Sequence, residues 1–297
     1  MAKIKHKKVS KTDPESGWFH KGEHKSVFAY SIQTACDKNG FITSFSVHKG
    51  NEHDSRTFKT LYDKIKEEIH SNELEKIVAD AGYKTPAIAK LLIDDNIEPF
   101  LPYKRPMTKK GYFKKSEFVY DEYFDCYICP NNEILKYTTT NKEGYREYKS
   151  NKNKCKNCEY LQMCTSSKDK TKVVCRHIWE EYIEKCEDIR HRSDYKEIYS
   201  RRNETIETVF GTAKEYHSMR YTRTIGKQKI ELQVGLTFAC LNLMKLAKIM
   251  DKNGWGHPKY LYYTLKYYLM YTINKYFSII HTKKHIEKNS ICFLSTN

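Results

Sequence analysis

Residues 75–101, EKIVADAGYKTPAIAKLLIDDNIEPFL, decide the fold class. The apolar run Ile77-Val78-Ala79 is short, ends in the acid Asp80 and gives way to Ala81-Gly82-Tyr83, the pattern of a buried strand entering a loop. Thr85-Pro86 then opens a helix: proline lacks the N–H that a first helical turn cannot use, and Ile88, Leu91 and Leu92 recur at helical spacing. Ile97–Leu101 returns as a strand. A strand, a helix and a strand in succession indicate an α/β fold.

Upstream, residues 26–36 (SVFAYSIQTAC) and 41–48 (FITSFSVH) are rich in aromatic and β-branched residues, with turn chemistry in Asp37-Lys38-Asn39-Gly40 between them, so they predict a β-hairpin. After it, HDSRTFKTLYDKIKEEIH sets Phe58, Leu61, Tyr62, Ile65 and Ile69 on one helical stripe, with Asp54 or Ser55 as cap. Downstream, YKRPMTKKGYFKK (103–115) interleaves Lys104, Arg105, Lys109, Lys110, Lys114 and Lys115 with Tyr103, Tyr112 and Phe113. That composition suits a grip on a nucleic-acid backbone, or simply a solvated loop. Helical periodicity is lost from Tyr120 to Val174, which reads as a small insert. A long helical segment follows over 178–217, broken near His191-Arg192-Ser193, and another over 227–250. The run Tyr260–Ile280, interrupted by Lys266 and Lys275, reads as an amphipathic helix and not as a membrane anchor.

The chain has 297 residues, 53 Lys plus Arg against 37 Asp plus Glu and a formal charge of +16, with 39% hydrophobic residues. A chain of this size can bury roughly three quarters of its unfolded surface, which excludes collagen-like and fully disordered classes. The positive charge favours a nucleic-acid partner, although a Lys-, Asn-, Ile- and Tyr-rich composition also follows from an AT-rich genome. Residues 1–16 are polar and Lys-rich with no cleavable apolar core, so a cytoplasmic location and reduced cysteines are expected.

Five of the ten cysteines lie in the insert: Cys126-x2-Cys129, then Cys155-x2-Cys158 and Cys164. Paired short-spaced thiols suit a tetrahedral soft-ligand metal, so structural zinc is expected on Cys129, Cys155, Cys158 and Cys164, with Cys126 as the alternative ligand. Buried thiols are the bland reading. Cys36, Cys175, Cys186, Cys240 and Cys292 lack such spacing and read as ordinary small residues.

Two carboxylates stand out. Asp80 is carried to a strand end, where side chains converge on ligands, though a cap or turn Asp fits the same pattern. Glu207 lies in ETIETVFGTAK (204–214), where Asn203, Glu207, Gly211 and Lys214 are expected on one helix face and Lys214, Arg220 and Arg223 could hold phosphates. An ordinary solvent-facing Glu-Lys helix is the competing reading.

Together, SKTDPESGWFHKGEHK (10–25), GNEHDS (50–55), VADAGYKTPAIAKLL (78–92), PYKRPMTKKGYFKK (102–115), the cysteine insert and ETIETVFGTAK resemble, in that order, the DDE-type transposases of bacterial insertion sequences. The resemblance implies a ribonuclease-H-like mixed sheet flanked by helices, with a zinc-ribbon-like insert. It divides the chain into a basic linker remnant (1–18), the first part of the DDE domain (19–119), the insert (120–176), a helical second part carrying the Glu (177–250) and an aromatic, basic tail (251–297). It implies that Asp80 and Glu207 are the second and third acids and that Lys214 contacts DNA ends. A Tyr and an Arg precede the Glu in related families, and here Tyr199 and Arg202 are the candidates, with Arg202 one residue further from the Glu than usual.

The implied mechanism is nicking and strand transfer on double-stranded DNA, transposon ends and target, by a homo-oligomer using magnesium or manganese. The family's first acid sits on a first, central strand. No such strand fits upstream of Asp13, so the resemblance implies an amino-terminally truncated chain, inactive alone, with two sheet edges left open. A non-catalytic DNA-binding relic and a metal-dependent nuclease of the same fold are the alternatives.

Overall fold

The computed structural model describes residues 8–21, 25–68, 74–253, 268 and 289–296. The expected hairpin forms as β2 (Lys25–Asp37) and β3 (Ile42–Lys49), paired antiparallel from Tyr30↔Lys49 to Cys36↔Ile42. Its turn is built by Asp37, whose Oδ1 accepts from the N–H groups of Asn39 (3.0 Å) and Phe41 (2.8 Å). Gly40 takes a φ of 76°, open to glycine at no steric cost. β1 (Gly17–Lys21) pairs antiparallel with the first half of β2. The preceding residues, expected as part of a linker, are tied down: Asp13 accepts from the Tyr30 hydroxyl (2.8 Å) and the Gly226 N–H, and Glu15 from the Lys227 N–H (2.9 Å). Two acids therefore sit at the start of α8 (Lys227–Lys252), where the helix dipole favours them.

α1 (Asp54–Glu68) buries Phe58, Leu61, Tyr62 and Ile65, as the stripe requires. Ile69 lies outside the described residues. β4 (Leu74–Ala79), α2 (Pro86–Asp94) and β5 (Glu98–Phe100) follow, with Thr85 capping α2 and β4 parallel to β5. Alternation along β4 serves both faces of the sheet. Ile77 and Ala79 join Phe58, Leu61, Ile65 and Leu92 in one core cluster. Val78 joins Cys36, Val47 and Phe100 in a second, covered by α7 (Ile206–Tyr216) through Ile206 and Phe210 and by α8 through Ile230, Val234 and Phe238.

The centre of the sheet corrects the expectation of two open edges. β11 (Asn289–Thr296) lies between β2 and β4, giving the order β3–β2–β11–β4–β5. It runs antiparallel to β2, from Ile291↔Asp37 to Thr296↔Ile32, and parallel to β4, from Ser290↔Lys76 to Phe293↔Ala79. Both inner edges offer backbone donors and acceptors that must be paired, and an extended segment from the end of the chain pairs them. Residues 289–296, expected in a tail, are thus the middle strand. The Tyr260–Ile280 helix expectation lies outside the described residues.

The insert forms a separate antiparallel sheet, β10–β9–β8–β7–β6, from β6 (Val119–Asp121), β7 (Cys126–Ile128), β8 (Ile134–Thr140), β9 (Tyr145–Lys149) and β10 (Val173–His177). Between β9 and β10 stand two single-turn helices, α3 (Lys152–Cys155) and α4 (Leu161–Cys164). The helical region after the insert breaks twice, not once: α5 (Glu180–Arg190) and α6 (Tyr195–Glu204) are separated near His191, and α6 and α7 at Thr205. Among the described residues, α8 alone is long and apolar enough to cross a membrane by length and composition. It lies along β3, with the Phe238 ring 5.4 Å from that of Phe45 and Asn242 bonding both backbone groups of Ile42.

Candidate active site at the sheet edge

Because β4, β5 and β11 run parallel, their carboxyl ends share one edge of the sheet. Asp80 is the first residue past β4. Its Oδ1 accepts from the Ala81 N–H (2.6 Å), capping the 3-10 turn Ala81–Tyr83. The cap reading and the site reading of this residue are therefore compatible.

Glu207 reaches the same edge from the first turn of α7, and Arg202 of α6 joins the two acids. The guanidinium stands 2.7 Å from Glu207 Oε1 through Nη2 and 3.3 Å from Asp80 Oδ1 through Nη1. The arginine side chain is only 12% exposed, whereas the two carboxylates are nearly half exposed. Burial opposes its charge, but Tyr199, Asp80 and Glu207 outweigh burial and raise its pKa. Behind it, aromatic rings continue inward: Arg202 lies 5.2 Å over Tyr199, which stacks on Tyr195 at 5.4 Å, which stacks on Phe100 at 5.8 Å. Burial also raises the pKa of Tyr199.

Asn203, Glu207, Gly211 and Lys214 do not share one helix, which corrects the face drawn from the sequence. The backbone leaves helical geometry at Thr205 (φ −101°, ψ −89°), so Asn203 ends on α6 while the other three lie on α7. The same break explains the spacing of Arg202. One extra residue between Arg and Glu is absorbed at the kink, held by Thr205 Oγ1 donating to the Arg201 carbonyl (2.8 Å) and Thr208 Oγ1 to the Asn203 carbonyl (3.2 Å). A Cβ on Gly211 would meet open space, so that face of α7 leaves room beside the acid.

Among the predicted phosphate contacts, Lys214 lies two turns along α7 from Glu207, its Nζ 5.9 Å from the Phe210 ring. Arg220 pairs with Glu215, and Arg223 is exposed in the loop before α8. Lys104, Arg105, Lys109 and Lys110 are exposed in the coil that leaves β5 at the edge where Asp80 sits.

Asp54 is a residue of this region that sequence reading took only for a helix cap. A Cβ at Gly82 would come within 3.0 Å of the Asp54 carboxylate, so the loop after Asp80 packs closely against that acid. Asp54 Oδ1 is buried with no hydrogen-bond partner among the described residues. Its acid, in the GNEHDS stretch, was the available signal. β11 supplies no acid: its sequence is NSICFLST.

In the insert, Cys129, Cys155, Cys158 and Cys164 line one cavity of about 30 Å³. Burial raises the pKa of the Cys164 thiol; Lys172 opposes, while Cys155, Cys129 and Cys158 add to the rise. Cys126, the alternative ligand, is buried on β7 and does not line that cavity; burial, with Asp121 and Asp125, raises its pKa. Among the described residues no three His, Cys, Asp or Glu side chains stand as a finished metal cage, at the sheet edge or in the insert.

Residues 128–247 match the transposase DDE domain family. No curated protein and no solved structure matches the chain. The transposase DDE match starts in β7 and runs almost to the end of α8, so it includes Arg202, Glu207, Lys214 and the four cavity cysteines. It supports a DDE transposase, a DNA-processing class that uses divalent metals such as magnesium or manganese. Asp80 and the basic stretch 103–115 lie outside the matched residues, so the place of Asp80 in the site rests on its ion pair with Arg202.

Proposed function

We propose that this chain carries a DDE-type DNA phosphoryl-transfer site with Asp80 and Glu207 as its carboxylates. The observation that carries the reading is the bridge by which one buried guanidinium joins two acids distant in sequence at the carboxyl edge of a sheet. Hard carboxylate oxygens suit magnesium or manganese, and the contacts to Arg202 engage only Oδ1 of Asp80 and Oε1 of Glu207. A divalent ion held by these two side chains would polarise a phosphodiester and activate water or a DNA 3′-hydroxyl. Arg202 holds the acids in place through its ring-backed, buried position. Lys214, Arg220 and Arg223, with the basic stretch 103–115, would grip the phosphates of transposon-end and target duplexes. A ribonuclease-H-like origin of the sheet, an insertion-sequence source, homo-oligomeric assembly and a cytoplasmic location belong to the same proposal.

The experiment is a manganese- and magnesium-dependent nicking and joining assay on duplex DNA. Asp80→Asn and Glu207→Gln should each remove activity, with losses of roughly a hundredfold or more, on the scale seen when a transition-state contact is deleted. Activity that survives both substitutions sinks the reading.

One observation favours a second reading. The strand beside Asp80 brings no third acid. A DNA-binding chain that has lost chemistry predicts oligonucleotide binding unchanged by Asp80→Asn and Glu207→Gln, together with no nicking in either metal.

A further inference from the structure

The insert has little to hold it together. Its buried apolar core comprises Phe118, Tyr127, Leu135, Tyr148 and Val174, and α3 and α4 are single turns that bury no residue. Modules with so small a core commonly need a cross-link or a metal. No disulfide is available, because Cys129, Cys155, Cys158 and Cys164 are all free, yet the four surround one cavity with room for a single ion.

The chain around them aims hydrogen-bond donors at sulfur. At Cys129 a tight turn bonds the Asn132 N–H to the Cys129 carbonyl (2.8 Å), with Asn132 at φ 58°. That turn aims the Glu133 N–H at Cys129 Sγ (3.4 Å). The Asn131 side chain donates to Cys158 Sγ (3.6 Å), and the Cys158 N–H to the Cys155 carbonyl (3.2 Å). Lys172 lines the same cavity and would offset part of the charge of a tetrathiolate centre, whereas Lys154, also there, pairs with Glu133 (2.6 Å).

The cavity shares a wall with a larger groove of about 800 Å³, lined by Lys109, Tyr112, Phe113, Lys115, Lys149 and Lys172. Cys164, Thr165 and Lys172 face both spaces. The link is mechanical: the Lys172 ammonium donates to the Cys164 carbonyl (3.0 Å), and the Phe113 N–H to the Met163 carbonyl (2.8 Å). α4, which carries Cys164, therefore anchors the basic loop that forms the far side of the groove.

We propose that Cys129, Cys155, Cys158 and Cys164 bind one zinc ion as thiolates, and that the ion fixes the wall of a groove that takes a nucleic-acid phosphate backbone. The thiols close around the ion as it binds, the coupling of ligation to local folding usual in small metal modules. Four lysines and the rings of Tyr112, Phe113 and Phe118, against the single acid Asp169, give this concave surface the chemistry of backbone contact with base stacking. Neither half depends on phosphoryl transfer at Asp80 and Glu207.

The test uses the full chain purified under reducing conditions. Metal analysis should find one zinc per chain, which a mercurial thiol reagent releases and which Cys126→Ser retains but Cys158→Ser loses. Fluorescence anisotropy with a labelled oligodeoxynucleotide should show at least a tenfold weaker Kd after zinc removal and recovery on adding zinc back. The metal site is overturned by a chain without zinc, or by a Cys158→Ser variant that keeps it. The role of the ion is overturned if zinc leaves with the oligonucleotide affinity unchanged.

Discussion

Arg202 works as an internal counter-ion. Its guanidinium is mostly buried while Asp80 and Glu207 are nearly half exposed, so solvent screens the acids and the arginine bears the desolvation. Arg202→Ala should cost about 1–2 kcal/mol, less than a fully buried pair because of that screening. The same change leaves two carboxylates side by side without their cation, so magnesium should raise the thermal midpoint of the variant more than that of the parent. Equal shifts in a thermal melt with and without magnesium would show that the acids hold no ion. The positions of Asp80 and Glu207 were legible in the sequence because each sits in a patterned segment, a strand end and a helix start. The bridge was not legible, because a misfit in spacing says nothing of the kink at Thr205 that repairs it. Asp54 was hidden for another reason: an acid at the start of a helix satisfies the capping rule before any tertiary contact is considered.

The loop that follows Asp80 is fixed by an element at a distance in sequence. Lys84, almost fully buried, donates to the Pro102 carbonyl (3.0 Å) and pairs with Glu187 of α5, which also accepts from Arg190 (2.6 Å). Burial alone would raise the Glu187 pKa, but Lys84 and Arg190 outweigh it and hold it below the usual carboxylate value. A depressed acid stabilises the fold fully above its unfolded pKa of about 4.3, and that contribution is lost as pH falls through the folded value. Glu187→Gln should therefore destabilise by about 2–3 kcal/mol at neutral pH, since Lys84 is left buried without its partner. The gap between variant and parent in urea melts should narrow below about pH 4.3. A gap that stays constant with pH would remove the ion pair from the account. At this scale the sequence read well: β2, β3, α1, β4, α2 and β5 carry apolar periods of two or 3.6, and local pattern writes local structure. The break at Thr205 is different in kind, since the residues on either side are helical by every local rule.

Long-range pairing is the part of the molecule that no local pattern records. NSICFLST reads as an apolar end of a basic tail, and nothing in it names β2 and β4 as neighbours. The open edges foreseen from the absent first strand were a sound physical demand, and the chain meets it with its last described strand, in the direction that keeps β11 parallel to β4. A middle strand is a different thing from a tail: every ladder bond on both sides depends on it. Proline removes a ladder N–H and is tolerated at sheet edges, as Pro99 is in β5, but not in a central strand. Phe293→Pro should cost at least about 3 kcal/mol. Hydrogen exchange followed by mass spectrometry should lose protection together in the segments of β2 and β4 that flank position 293, while β8 and β9 of the insert keep theirs, because that sheet makes its own ladder. Protection unchanged in β2 and β4 would mean that residues 289–296 do not pair there in solution, and the sheet would then need a strand from elsewhere. Loss in the insert as well would mean that the two sheets unfold as one cooperative unit, and that β11 closes the whole molecule.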